Sequence, residues 1–411
     1  MTFFVLGSHP SLSLAEIASV LGVDTNQLPH SKEILLLDEI NDSPEELQDR
    51  LAGTIKIGDI IGEVAKIDKE EIADLLVSLF PFSEGKVTFG ISVYSLDARR
   101  DLSTEVKQIG MTIKKRLKEE GRSARFVSTN SAALPSVAVT GEKLLENGAE
   151  FVFIVSKEKI YLGQTRTVQD FQSWSARDYG RPRRDTKSGM LPPKLARMMI
   201  NLATPQNGNK TAVGANGHSP LRQMSVLDPF CGSGTVLMEA TLMGFKNLIG
   251  SDISEKAVND TKINLDWLTQ IEGVETSEIR LFNKPIETLA GDLKEKVDTI
   301  VAETYLGPPL SGRETPNRQK QIWNELLEHT ASGLAALNQL LKKGGVAILA
   351  LPAFQTEKII DYLPTKKLVE AVNLQIIPFT GEKNEISPNG GLLYVREGQL
   401  TGREIVKIVK S

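Results

Sequence analysis

Three acids stand where apolar, strand-like runs end: Asp228 after SVL, Asp252 after NLIGS and Glu303 after VDTIVA. An acid leaving a buried strand meets whatever lies across the carboxyl edge of an open sheet, which is where α/β folds bind ligands. Asp228 leads into PFCGSGTVLMEA (229–240), a tight turn followed by an apolar helix. Gly232 and Gly234 remove Cβ atoms where a ligand must approach the backbone, and the helix starting near Gly234 or Thr235 points its positive end there. A phosphate-cradling loop needs Gly-Lys-Ser/Thr, which this stretch lacks. A dinucleotide fingerprint needs a third glycine near position 237, which is Leu237.

What remains is the shorter acid-x-x-x-Gly-x-Gly loop of S-adenosylmethionine (AdoMet) enzymes, with Asp228 facing an ammonium and Asp252 accepting from ribose hydroxyls. The candidate cofactor contacts are Asp228, Pro229, Cys231, Gly232, Gly234 and Thr235 on the loop, Asp252 and Ile253 after the second strand, and Asn283 after the third. VAETYLGPPLSG (301–312) then places Glu303, Tyr305, Pro308 and Pro309 at the end of the fourth strand, beside the reactive end of such a cofactor.

These residues need a scaffold of alternating strands and helices. From residue 224 the chain supplies one, with strands SVLD, NLIGSD, IRLFN, VDTIVAE and VAILAL and helices at 234–243, 254–269 and 318–342. That order implies a mainly parallel sheet covered on both faces. LQIIPF (374–379), LLYV (392–395) and REIVKIVK (403–410) read as late strands, two of them an antiparallel closing pair. Before it, MLPPKLARMMINLA (190–203) is a helix with prolines in the permitted first turn. A Gly/Asn-rich loop occupies 204–220, and a polar, Arg-rich stretch at 166–188 reads as an extended connector. The first half holds strand FFVLG, a helix with a Ser13/Glu16 capping box, strand 34–40 and helix 43–53. A second block from about residue 60 continues with strand VTFGISVYSL, a basic helix at 102–120, strand RFVST, helix VAVTGEKLLENGA and strands EFVFIVSK and KIYLGQ.

At 411 residues, 40% apolar and 24% charged, the composition is that of a multidomain globular protein. No apolar run reaches the roughly eighteen residues of a membrane span, and MTFFVLGSHPSLSLAEI lacks the marks of a signal peptide. One cysteine, Cys231, and four scattered histidines exclude an internal disulfide and argue against a metal site, so a cytoplasmic protein without metal is expected. The net charge of -4 leaves room for local basic patches. Residues 107–125 and 177–197 each carry seven Lys/Arg against two acids. Their candidate phosphate contacts are Lys114, Lys115, Arg116, Arg122, Arg183, Arg184, Lys187 and Lys194.

DPFCGSGTVLMEA with GSDIS resembles the THUMP-containing RNA methyltransferases, and the likeness extends along nearly the whole chain. FFVLGSHPSLSLAEI is similar to that family's N-terminal ferredoxin-like unit, and residues from about 60 to 165 to its THUMP domain. DYGRPRRDTKSGMLPPKLARMMINLA is similar to its linker and the helix entering the catalytic domain. The resemblance implies an α/β chain: a ferredoxin-like unit (1–58), a THUMP RNA-binding domain (59–165), a linker (166–189) and a Rossmann-like class I methyltransferase domain (190–411), doubly wound with a late antiparallel strand. Within the family the likeness is to the tRNA guanine-N2 methyltransferases that modify guanosine 10, implying tRNA as partner and AdoMet as cofactor. A monomer is expected, and some relatives need a small activator subunit.

That group holds its target base with Asp/Asn-Pro-Pro-Tyr/Phe, where this chain has Glu303, Thr304, Tyr305, Leu306 and Gly307. By resemblance Glu303 accepts from the target amine and Tyr305 stacks on the base. The longer acid and the missing prolines depart from the pattern. So does FNKPIE (282–287), where the family often has an Asp for the adenine amino group and either Asn283 or the backbone is left to accept from it. The rival readings are a guanine at another tRNA or rRNA position, and a non-catalytic tRNA-binding homologue.

Overall fold

The computed structural model describes residues 1–38, 40–80, 86–185, 190–203, 224–276, 278–355, 359–380 and 385–411. The loop expected at 204–220 and the candidate Lys187 lie outside them. The chain divides into one unit of Met1–Leu14 and Asp24–Phe171, and a second of Ala15–Val23 and Gln172–Ser411.

The chain begins with β1 (Thr2–Leu6), α1 (Pro10–Leu21), β2 (Ile34–Leu37), α2 (Pro44–Arg50), β3 (Thr54–Val64), α3 (Lys69–Ser78) and β4 (Val87–Ser95). It continues with α4 (Ser103–Glu119), β5 (Ala124–Val127), α5 (Ser136–Gly141), α6 (Leu144–Asn147), β6 (Gly148–Val155) and β7 (Ile160–Val168). Among the described residues these strands form one mixed sheet, in the order β2-β1-β3-β7-β6-β4-β5. The two-residue period of β6 buries both of its faces. Phe151 and Phe153 join Ile72 and Leu76 of α3 and Ile109, Ile113 and Leu117 of α4. Val152 and Ile154 join Phe3, Val5, Ile34 and Leu36. Between β3 and β6 a buried ion pair, Lys56–Glu150 at 2.5 Å, is completed by Ser92, Thr165 and the Leu134 carbonyl.

Four local expectations are corrected here. β3 was not anticipated, because its polar residues and inward Lys56 hide the alternation, and the expected boundary at 58/59 falls inside it. Ser13 and Glu16 do not cap α1, which starts earlier at Pro10, and the Ser13 hydroxyl instead donates to the Gly53 carbonyl at 2.7 Å. The capping box of this unit is Ser43 with Glu46 on α2. The helix expected over 137–149 is broken into α5 and α6 at Lys143, whose φ of 52° no helix accommodates.

The fourth concerns the connector at 166–188. It is not extended: β7 runs on to Val168, and α7 (Phe171–Ser175) leads into a wide π-helical turn over Ala176–Gly180.

The second unit continues with α8 (Pro193–Ala203), β8 (Ser225–Asp228), α9 (Thr235–Leu242), β9 (Asn247–Asp252), α10 (Glu255–Glu272), β10 (Arg280–Asn283) and α11 (Ile286–Leu289). Then come β11 (Val297–Glu303), α12 (Pro316–Leu340), β12 (Leu341–Gln355), β13 (Ile360–Tyr362), α13 (Thr365–Ala371), β14 (Gln375–Ile377), β15 (Leu392–Tyr394) and β16 (Thr401–Val409). Strand order is β10-β9-β8-β11-β12-β16-β14, with β13 along β12 and β15 along β16. β10 through β12 are parallel, and β16 runs antiparallel between β12 and β14. The winding reverses between β8 and β11, so the carboxyl ends of these two strands open onto the crevice where such sheets bind ligands. Among the described residues no helix is long and apolar enough to cross a membrane.

Candidate active site

The loop after β8 is held by the chain around it. Gly232 donates its N–H to Asp252 Oδ2 at 3.0 Å, and Thr261 on α10 donates to the Gly232 carbonyl at 2.8 Å. Asn264, one turn further along α10, donates to the Ser233 carbonyl at 2.8 Å and to the Arg183 carbonyl at 2.9 Å. Gly232 (φ 51°) and Gly234 (φ 87°) take left-handed backbone conformations that favour glycine. A Cβ at Gly234 would come within 2.9 Å of Thr261, while one at Gly232 would stand in open space, with the Phe230 carbonyl nearest at 4.0 Å. That space before a bare backbone is a cradle for a ligand.

Asp228 forms its inner wall. It is 2% exposed and accepts from the Phe230 N–H at 3.1 Å. Burial pushes its carboxyl well above the usual carboxylate range, opposed by the Phe230 bond and reinforced by the charges of Asp252 and Glu303. A cationic ligand would relieve that push, so the residues fit AdoMet, which carries an ammonium and a sulfonium. Asp252 accepts from Ser254 N–H through its other oxygen at 2.9 Å. Beside it Ile253, 78% exposed, offers apolar surface to a flat ring. Asn283 spends its NH2 on the carbonyls of Asp252 and Ile253, each at 3.0 Å, which leaves its own carbonyl for an amino group. Pro229 is buried in the turn. The Cys231 thiol is buried and its pKa pushed up, mainly by that burial and then by Asp228, so this residue contributes through its backbone. The Thr235 hydroxyl accepts from Arg181 at 2.6 Å.

At the end of β11, Glu303 accepts from Nε of Arg403, a residue of β16 that is 6% exposed. Arg403 also reaches the Met190 carbonyl at 3.5 Å and lies 5.9 Å from the Tyr394 ring centre. Thr304 turns its N–H onto the Ala350 carbonyl at 3.0 Å, Gly307 takes a φ of 90°, and Tyr305, half exposed, stands edge-on to His329. Sequence reasoning missed Arg403, although a charged Arg403-Glu404 pair opening a buried strand was a signal. It also missed Thr261 and Asn264, polar residues on the inner face of α10 beside Leu265 and Leu268.

The expected basic contacts separate. Arg116 is held by Glu70 at 3.0 Å and Asp74 at 2.9 Å, and the Arg122 side chain is 11% exposed, against Phe80. Lys114 is half-buried and Lys115 exposed on α4. Arg183 and Arg184 are exposed, Arg184 lying 5.0 Å from the Tyr179 ring. Lys194 sits 5.8 Å from the Trp174 ring, its pKa lowered by burial and by Arg177. The buried arginines beside it, Arg177 and Arg197, share the carboxylate of Glu239.

Residues 137–263 match the DNA methylase family and residues 221–385 the methyltransferase-domain family. The tRNA (guanine(10)-N2)-dimethyltransferase of Methanothermobacter thermautotrophicus is 27% identical over 86% of this chain and 89% of its own length. The enzyme of the same name from Methanocaldococcus jannaschii is 38% identical over 29% of each chain. The crystal structure of TrmN from Thermus thermophilus, 16% identical, matches across the full length of both chains with a TM-score of 0.55, a likeness of fold. Along most of its length the chain resembles the tRNA (guanine(10)-N2)-dimethyltransferases.

Proposed function

We propose that this chain methylates the exocyclic N2 of a guanosine in tRNA, at position 10 by similarity to its relatives. The observation that carries the reading is the carboxylate of Glu303, at the carboxyl end of β11 and within electrostatic reach of Asp228 in the glycine-loop site. When bound there, AdoMet supplies a methyl carbon activated by its sulfonium. The chain does the rest. Asp228 and Asp252 hold the two ends of the cofactor, while Gly232 lets it lie against the backbone. The lone pair of the guanine amine is delocalised into the ring, so the amine must be aimed. Glu303 would accept an amine N–H and stabilise the charge that nitrogen gains as it bonds the methyl carbon, while the sulfur–methyl bond breaks and its electron pair returns to sulfur as a neutral thioether. The proton shed afterwards passes to that carboxylate or to water. Alignment of this kind supplies much of the acceleration in such transfers. Tyr305 offers a ring to the extruded base.

In this reading the first unit is the RNA-binding half. It combines a ferredoxin-like segment with a THUMP-type RNA-binding domain that share one sheet through β3, and the helical turns after Val168 lead to the catalytic domain. Their basic residues meet phosphates and so position the tRNA without reading its sequence. The enzyme acts as a cytoplasmic monomer, and the test is run with and without candidate activator subunits.

The test is tritium transfer from labelled AdoMet to unmodified tRNA transcripts, with the modified nucleoside identified by mass spectrometry. Glu303→Ala is expected to lose about a hundredfold in turnover, the scale of a positioned acid–base group, with AdoMet affinity nearly unchanged. Glu303→Gln, which keeps an acceptor oxygen, retains part of the activity. Equal activity of wild type and Glu303→Ala removes Glu303 from the mechanism. Intact AdoMet binding without transfer to any tRNA favours a non-catalytic tRNA-binding protein.

A further inference from the structure

Arg403 is a buried guanidinium whose one carboxylate partner among the described residues is Glu303. Register explains how residues a hundred positions apart meet. Glu303 pairs with Ala350 across β11 and β12, and Ala350 pairs with Ile405 across β12 and β16. Side chains in register on neighbouring strands share a face, and so do residues two apart on one strand. Arg403, two before Ile405, therefore emerges on the face of Glu303, and the small, fully buried Ala350 leaves room to cross the middle strand. Its neighbour Glu404 points to the other face, onto Thr365 and Asn389. The pair is thus specific to Arg403.

We infer that Arg403 is a positioning residue for methyl transfer, holding the Glu303 carboxylate in one orientation so that a single oxygen is left to accept from the target amine. The inference rests on the function proposed above. Its physical reason lies in two features of ETYLG. Glu303 has one more rotatable bond than an aspartate, and no proline stiffens the chain after it before Pro308. A free glutamate there would sample several rotamers and would be repelled by the nearby Asp228. A charge-assisted bond from a buried guanidinium removes both problems. Lysine would do this less well, being a point charge on a flexible stem with no planar fork to reach the Met190 carbonyl at the same time.

The test uses the full-length chain. Arg403→Ala is expected to lower kcat for tRNA methylation about a hundredfold, as for a displaced reacting group, while KM for tRNA and calorimetric affinity for AdoMet change little. Arg403→Lys falls between. Added guanidinium ion restores turnover to Arg403→Ala but not to Glu303→Ala. In thermal unfolding of the cofactor-free protein, the double variant Glu303→Ala/Arg403→Ala is destabilised by less than the sum of the single variants. Unchanged kcat in Arg403→Ala, or a loss that guanidinium leaves untouched with additive melting shifts, overturns the positioning role alone. A wild-type chain that methylates no tRNA overturns the proposed function and this inference with it.

Discussion

Asp228 sits in an environment at odds with a charged carboxylate. Its pKa is raised in the folded chain, so the folded state binds the proton more tightly than the unfolded chain does. The sign follows from linkage: stability is highest at low pH and declines as pH rises from the unfolded carboxylate value through the folded one. Above the unfolded carboxylate value the raised pKa therefore weakens the cofactor-free protein, a cost that a bound cation would relieve. Asp228→Asn should raise the melting temperature of the cofactor-free chain at pH 7, by about 2–4 °C per kcal/mol recovered at this domain size. The gain should shrink toward pH 4. AdoMet affinity should fall roughly 10- to 100-fold, the loss of a charge-assisted hydrogen bond. Calorimetry and scanning fluorimetry check both, and a lower melting temperature at pH 7 would contradict the assignment of strain.

At the scale of elements, the glycine loop owes its shape to α10. Asn264 is fully buried and bridges the Ser233 carbonyl, the Arg183 carbonyl and the Arg183 N–H, the last at 2.9 Å. One amide thus fixes the loop and the Arg-rich segment that precedes α8. Asn264→Ala leaves those backbone groups without their partner and should cost about 1–3 kcal/mol, read as a lower urea midpoint. AdoMet affinity should also drop, because the loop loses its brace while Asp228 and Asp252 stay in place. Unchanged affinity in a destabilised variant would confine Asn264 to a packing role. The same logic applies at Gly234: a side chain there meets Thr261 and needs a strained φ.

For the whole molecule, the net charge of -4 means that the tRNA of the proposed function would be met by local patches and not by overall attraction. The structure ranks those residues. Arg116 is already balanced by Glu70 and Asp74, whereas Lys114 has no ion-pair partner among the described residues and Arg184 lies on an exposed ring. If Lys114 and Arg184 meet phosphates, replacing either by Ala should flatten the slope of log affinity against log salt by about 0.7–0.9. Arg116→Ala should leave the slope alone and lower the stability of the first unit instead. Fluorescence titrations of the full-length chain with tRNA across a salt series decide this. A slope change for Arg116 equal to that for Arg184 would reverse the ranking.

The sequence by itself determined whatever depends on neighbours a few residues apart. The strand–acid–glycine–helix run at 225–242, the acids ending β8, β9 and β11, and the order of strands and helices after residue 224 follow from short-range periodicity and turn chemistry. Short-range signals also misled. Ser13 and Glu16 have the spacing of a cap yet lie inside α1, where a carbonyl forty residues away takes the serine hydroxyl. The Arg-rich stretch after Val168 looks like a linker, yet Arg177 and Arg181 are buried on Glu239 and Thr235. Tertiary structure alone decided that β16 inserts between β12 and β14, because that pairing depends on which faces must be buried and is not encoded in local pattern. It thereby decided that Glu303 has an arginine for a partner. No spacing rule joins residues 303 and 403; only a shared face across three strands does.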